Sequence, residues 1–214
     1  MGPGAESRVL MDQLTSGRME YPLMDDEYDV VALGDPAKVK RYGMPADRKK
    51  YEENLIKHFP KEEEAIKKFM DLLLKSKSAF TGFFALKMFP KWLARLLTQT
   101  GIYNLMFKAY LKYFKISLKE VVDDLTDNEE LKAVFCYIFG DYGVVPSKSS
   151  FAFHSVLINH YMHGSYYIRG GTNEVTYQMI PTIERHGGAV LVKAPVTKIL
   201  MDAKGKAVGK KYLL

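Results

Sequence analysis

From Lys75 to Lys119 the chain carries nine basic side chains and no acidic one, and ten aromatic residues crowd into the same stretch. So much charge cannot be buried and so much aromatic surface cannot all be left in water, so the segment must fold into amphipathic elements with one cationic face. Lys87, Lys91 and Arg95 recur every fourth residue, which on a helix is a single stripe, while Phe84, Met88, Phe89, Trp92, Leu93, Leu96 and Leu97 fill the other sides. A polybasic face, a broad apolar face and a Trp, here the chain's only one, are what a helix lying in a bilayer interface needs. Membrane-surface or apolar-ligand contact is the first expectation, and an amphipathic core helix whose lysines are merely solvated stands beside it, since Pro90 ends or kinks any continuous helix there. Nucleic acid is not expected, because no recognition motif accompanies the charge and the aromatics follow helical packing patterns. The net charge of +6 is local: of 31 Lys and Arg, the 22 outside this stretch face all 25 acidic residues.

With 47% hydrophobic and 26% charged residues over 214 positions, the chain can bury a core and is neither a disordered tail nor a low-complexity scaffold. A single cysteine, Cys136, excludes a disulfide framework and a cysteine-rich zinc or iron–sulfur site, and reads as a buried apolar residue. No apolar run reaches the ~18 residues of a membrane-spanning helix. Met1-Gly2-Pro3-Gly4-Ala5-Glu6 lacks the positive-then-apolar order of a secretory signal.

The punctuation predicts an α+β chain in which β-rich ends bracket a helical middle. Residues 6–16 read as a short helix closed by Gly17, and 28–33 and 38–42 as a hairpin around Gly34-Asp35-Pro36. Asp47 caps a helix to His58, and Pro60 opens another whose outer face carries Glu63 with Lys67 and Glu64 with Lys68. Further helices are predicted from Pro90 to Thr98, from Ile102 to Phe114, from the capping box Ser117-Leu118-Lys119-Glu120, from an Asp127 cap to Gly140, and from Pro146 to Met162. Beyond Gly170-Gly171 one more helix is expected, interrupted at Pro181, followed by strands at 189–192, 196–201 and 207–214. The expected divisions are a β-rich piece at 1–45, a helical region at 46–165, and a mixed piece at 166–214. The chain stops within a strand pattern, at Tyr212-Leu213-Leu214, as though cut from a longer one.

Few residues advertise chemistry. His160 and His163 share a helical face, but His154 lies about 240° from His160 around the helix, and no carboxylate pattern completes a site, so no metal is expected. There is neither a Gly-x-Ser-x-Gly elbow nor a Walker loop, and Cys136 has no evident base. The informative stretch is Tyr167-Ile168-Arg169-Gly170-Gly171-Thr172-Asn173, where paired glycines before a helix let the backbone approach a planar ligand or a phosphate, with Arg169 adding positive charge.

Several segments together carry a family resemblance: Leu14-Thr15-Ser16-Gly17, Tyr137-Ile138-Phe139-Gly140-Asp141-Tyr142-Gly143-Val144, Asn159-His160-Tyr161-Met162, Arg169-Gly170-Gly171 and Ile180-Pro181-Thr182-Ile183-Glu184-Arg185-His186-Gly187-Gly188. From about Leu10 to Gly209 the chain resembles the retinol-saturase branch of the flavoproteins that include phytoene desaturases and carotenoid isomerases. The group's Tyr-Pro-x-Gly-Gly motif falls on Tyr167 to Gly171, with Ile168 in place of proline. The resemblance implies an FAD-dependent oxidoreductase of the endoplasmic reticulum membrane that saturates the 13,14 bond of all-trans-retinol. NAD or NADP is the implied electron source, and a retinoid or carotenoid-like polyene the substrate.

It further implies that 46–165 is a substrate- and membrane-facing region and 166–214 a partial FAD-binding domain, with cofactor contacts at Tyr167, Arg169, Gly170, Gly171 and Val196, the last through its backbone to adenine. The aromatics Phe84, Phe89, Trp92, Phe107 and Tyr110 become the expected substrate side, and no catalytic acid or base is assigned. The dinucleotide fingerprint and the carboxy-terminal flavin segment of the group are missing from these residues, so further parts of the same protein are expected partners. Two other classes stand beside this reading: a non-enzymatic helical protein that docks on membranes or carries an apolar ligand, and a helical nucleic-acid-binding domain.

Overall fold

The computed structural model describes the backbone of Gly2 and of residues 6–213, and their side chains except those of residues 6, 77–79, 81–83, 85, 109 and 110. The expected end of the last strand at Leu214 and most of the Met1-to-Glu6 segment lie outside the described residues. Helix α1 (Glu6–Thr15) is followed by strands β1 (Glu27–Leu33) and β2 (Lys40–Pro45), then by α2 (Arg48–His58) and the long α3 (Glu63–Met88). Shorter helices follow: α4 (Lys91–Gln99), α5 (Ile102–Met106), α6 (Lys108–Lys115), α7 (Leu118–Leu125), α8 (Glu129–Cys136) and α9 (Phe139–Tyr142). The described chain closes with α10 (Phe151–Tyr161), α11 (Asn173–Arg185), β3 (Val196–Met201) and β4 (Ala207–Tyr212). This is mixed helix and sheet, with two antiparallel two-stranded sheets, β1–β2 and β3–β4.

Two compact units divide the chain, one of Leu23–Tyr166 and one of Pro3–Pro22 with Tyr167–Leu214. In the first, α3 packs against α6 and α10. Its core holds Ile66, Phe69, Met70 and Leu73 of α3, Leu118 of α7, Leu131 and Phe135 of α8, and Phe151 and Ile158 of α10, all essentially sealed from solvent. Phe69 and Phe135 stack with ring centroids 4.0 Å apart. Asn159 Nδ2 donates to the Leu73 carbonyl at 2.8 Å, so the buried polar group that crosses from α10 to α3 is satisfied. The hairpin joins this helical unit through Tyr42 and Met44, which are buried, and through Asn54, whose Nδ2 donates to the Gly43 carbonyl at 2.6 Å. In the second unit, α1 packs on α11.

The caps settle where helices begin, and three begin or break elsewhere than the sequence pattern suggests. Asp47 accepts from the Lys50 N–H at 2.9 Å, and the Ser117–Glu120 capping box is complete. The cap of α8, however, is Asn128 rather than Asp127, its Oδ1 accepting from the N–H groups of Glu130 and Leu131 at 3.1 Å. That helix ends at Cys136; Tyr137 and Ile138 form a turn, and Phe139 and Gly140 belong to α9. Helix α10 starts at Phe151 under a Ser150 cap, because Pro146 precedes a turn in which Lys148 and Ser149 donate to the Val145 carbonyl. The expected helix from Ile102 to Phe114 is two, parted at Phe107, where φ is −109° and ψ 13°. Conversely, α11 runs through Pro181. The N–H that proline lacks would have met the carbonyl of Tyr177, a residue 68% exposed, on the solvent side of the helix where a lost backbone hydrogen bond costs least. Residues 189–192 form no strand.

Candidate functional site

The glycine loop in the second unit is built by two short alignments. The Tyr167 N–H donates to the Pro22 carbonyl at 3.2 Å and the Arg169 N–H to the Glu20 carbonyl at 3.0 Å, which lays 167–169 alongside 20–22. The chain then turns, with Gly171 N–H donating to the Ile168 carbonyl at 3.0 Å, and α11 begins. Gly170 and Gly171 both have φ of +88°, a conformation that disfavours any side chain. They differ in surroundings. A Cβ on Gly170 would lie 2.8 Å from the Glu174 side chain, whereas one on Gly171 would meet nothing within 4 Å. Gly171 therefore presents bare backbone to an open side, and Tyr167, 56% exposed, stands in the same segment.

Arg169 does not bring the free positive charge that its position suggests. Its Nε lies 2.5 Å from the Glu20 carboxylate, and Glu174 adds a second carboxylate in the first turn of α11. The helix start is thus electrostatically poor for a pyrophosphate, and suits the close approach of a neutral planar ring. Val196 opens β3 in the C-terminal hairpin, half exposed, and no hydrogen bond ties it to the loop among the described residues. The structure thus brings Tyr167, Arg169, Gly170 and Gly171 into one loop and leaves Val196 on a separate element.

The expected substrate aromatics lie in the first unit, on α3, α4, α6 and the turns between them. Phe84, Phe89 and Trp92 are 60%, 41% and 68% exposed, and Phe107 lies against the Tyr103 ring at 5.0 Å. The Tyr110 side chain lies outside the described residues. Helical spacing identified a face, but it could not tell a face turned to a cavity from one turned to solvent.

A hollow of about 700 Å³ in this unit lies where β1 meets α7, α8 and α9. Val30, Val31, Leu33, Val122, Cys136 and Phe139 supply its apolar lining. On its rim Lys132 bridges Asp123 at 3.0 Å and Glu129 at 2.9 Å, and Lys119 pairs with Asp123, so the charges there are mutually neutralised. Burial raises the Cys136 thiol to about 11, which keeps it protonated and unreactive at neutral pH. Tyr137, also on the wall, shares a 2.5 Å hydrogen bond with Tyr28, whose ring stacks on Tyr161 at 4.7 Å. Burial raises both Tyr28 and Tyr137 far above the ordinary phenol, so these hydroxyls act as neutral donors and acceptors. The run Asp29-Val30-Val31 facing Cys136-Tyr137 was the available signal. It joins positions about a hundred apart, a pairing that periodicity alone does not show.

His154 is a core residue. Nε2 contacts the Phe135 carbonyl at 2.9 Å and Nδ1 the Tyr142 hydroxyl at 3.0 Å, and burial lowers its pKa to about 4. No cluster of three or more His, Cys, Asp or Glu side chains able to hold a metal occurs among the described residues. No helix among them is long and apolar enough to cross a membrane.

An apolar hollow in one unit and, in the other, a glycine loop that presents bare backbone to an open side are features of a protein that binds an apolar or planar ligand. Comparison with known proteins agrees in class and is more specific. The chain is 40% identical over 202 residues to the all-trans-retinol 13,14-reductase of Danio rerio, covering 94% of this chain and 33% of that protein. It is 38% identical over 209 residues to the all-trans-retinol 13,14-reductase of Homo sapiens, covering 98% of this chain and 34% of that protein. A second Danio rerio relative, 33% identical over 202 residues, covering 94% of this chain and 33% of that protein, is named an inactive all-trans-retinol 13,14-reductase. The chain matches no family model. It spans about a third of the length of the curated relatives it matches. These similarities bear out the resemblance drawn from the motifs.

Proposed function

We propose that this chain supplies the helical substrate side and part of the flavin side of an FAD-dependent oxidoreductase that saturates the 13,14 double bond of all-trans-retinol at the endoplasmic reticulum membrane. The observation that carries this reading is identity of 37–40% to proteins named all-trans-retinol 13,14-reductase, sustained over 94–98% of the chain. Bound reduced FAD supplies the hydride, and NAD or NADP is the source of its electrons. Gly171 lets the flavin ring come against bare backbone, Gly170 keeps the turn that places it, and Tyr167 offers an aromatic face beside it. Val196 contacts the adenine through its backbone. Arg169 holds the loop through Glu20 rather than gripping a phosphate. The apolar hollow beside Val31 and Val122 is within the size range of small-molecule sites and offers apolar walls to a polyene.

The test is to express the complete protein containing this chain, load it with FAD, supply all-trans-retinol and a reduced nicotinamide, and separate the retinoids by chromatography with mass detection. Formation of 13,14-dihydroretinol is expected. Flavin-loaded protein that yields none would overturn the reading. A non-catalytic protein that binds membranes or an apolar ligand is the second reading; the relative named inactive shares 33% identity, less than the 37–40% shared with those named as the reductase. Saturable retinol binding without any dihydro product would select it.

A further inference from the structure

Helices α4 to α6 form a continuous surface on which apolar and cationic side chains are segregated by helix geometry. On α4, Leu93, Ala94 and Leu97 are partly buried, which fixes the packed side. At 100° per residue, Lys91 and Arg95 then share one exposed stripe and Trp92 and Leu96, 68% and 49% exposed, the neighbouring one. Helix α5 adds Leu105 and Met106, 77% and 65% exposed. On α6, Lys108, Lys112 and Lys115 fall at i, i+4 and i+7 on one face, around a shallow hollow of about 460 Å³ lined also by Asn104, Leu105 and Leu111. No acidic residue lines this hollow. Among the described residues none of these three lysines pairs with a carboxylate, whereas Lys75 and Lys119, at the ends of the basic stretch, pair with Asp71 and Asp123.

We propose that this surface is a dock for anionic lipid: the Asn104–Lys108–Lys112–Lys115 hollow receives an anionic headgroup, while Trp92, Leu96, Leu105 and Met106 enter the interface beside it. The proposal deepens the membrane part of the reading above by naming the element and the lipid charge. Exposed side chains this large lose apolar hydration by entering the headgroup boundary, and three lysines around a hollow lined by no carboxylate are complementary to a negative leaflet, although Lys112 also lies 4.8 Å over the Tyr113 ring and shares a second hollow with Glu120 and Asp124. A nucleic-acid duplex satisfies the lysines but leaves Leu105 and Met106 against phosphate, and no aromatic is among the described residues that line the hollow.

Trp92 is the only Trp, so its emission reports on this face without labelling. The chain is titrated with vesicles of phosphatidylcholine alone and of phosphatidylcholine with phosphatidylserine at seven to three. A blue shift and cosedimentation are expected with the anionic vesicles only, weakening when salt is raised from about 0.05 to 0.5 M. The variant Lys108→Gln/Lys112→Gln/Lys115→Gln should bind at least about tenfold more weakly, with unchanged circular dichroism because all three side chains are exposed. The variant Lys49→Gln/Lys57→Gln/Lys61→Gln, which removes the same charge elsewhere, should bind like the parent. Equal binding to neutral vesicles, an unaffected α6 variant, an equally impaired control variant, or a duplex oligonucleotide that binds as tightly as the vesicles would each overturn the dock. Vesicle binding needs neither flavin nor retinol, and turnover can be followed in detergent, so failure of the dock and failure of the enzymatic reading are separable.

Discussion

The Nε2 of His154 lies 2.9 Å from the carbonyl oxygen of Phe135, a contact that requires Nε2 to carry the proton and leaves Nδ1 to accept from Tyr142. The ring is thus held neutral in the core, with its pKa lowered from 6.5 to about 4. The unfolded chain takes up a proton below about 6.5 and the folded chain refuses it until about 4. Stability is therefore fully present above pH 6.5 and is lost as pH falls through this window, by on the order of 3 kcal/mol. Melting temperature measured between pH 7 and pH 4 should fall accordingly, and His154→Gln should flatten that dependence. A profile unchanged by the substitution would show that other groups set acid sensitivity.

Tyr28 and Tyr137 satisfy each other across 109 positions of sequence. Tyr28→Phe leaves the largely buried Tyr137 hydroxyl without its partner and should cost about 1–3 kcal/mol in denaturant unfolding. Adding Tyr137→Phe removes the orphaned hydroxyl and should recover part of that loss. Strict additivity of the two substitutions would mean that the hydroxyls do not interact.

The two loop glycines should respond differently in the complete flavin-loaded protein. Gly171→Ala adds a methyl where nothing stands within 4 Å, so the fold bears only the strain of positive φ, about 1 kcal/mol, while retained flavin, read by visible absorbance, should drop. Gly170→Ala drives a Cβ against Glu174 and should lower the melting temperature more. Full flavin content in the Gly171 variant would make the loop a plain turn.

Cys136, buried and raised to about 11, should react with an aromatic disulfide at pH 8 only slowly in the native protein and rapidly in denaturant. An apolar ligand seated in the β1–α8 hollow should slow the native reaction further. Reaction at equal rates in both states would place the thiol at the surface.

What was legible in the sequence was what local chemistry decides. Asp47 and the Ser117–Glu120 box mark true helix starts because a cap needs only its next three residues. Asp127 and Asn128 are both competent caps, and the choice between them falls to Thr126, whose Oγ1 accepts from the Asn128 N–H at 3.0 Å while donating to Glu62 at 2.8 Å. That tie runs to a residue 64 positions away. The glycine loop was legible as a motif, but the neutralisation of Arg169 by Glu20 was not, since it depends on two distant strands of chain lying side by side. The apolar hollow escaped for the same reason.

The β3–β4 hairpin has a consequence of its own. Every residue of both strands is exposed, including Ile199, Leu200, Met201 and Val208, and each strand pairs only with the other among the described residues. A two-stranded ribbon without a covered face is held by little more than its own ladder. Its outward-facing amides should therefore trade protons for deuterons within seconds in heavy water, while those of α3 and α10 persist far longer. Any neighbouring strand that joins its edge will be recorded as a sudden slowing of that exchange.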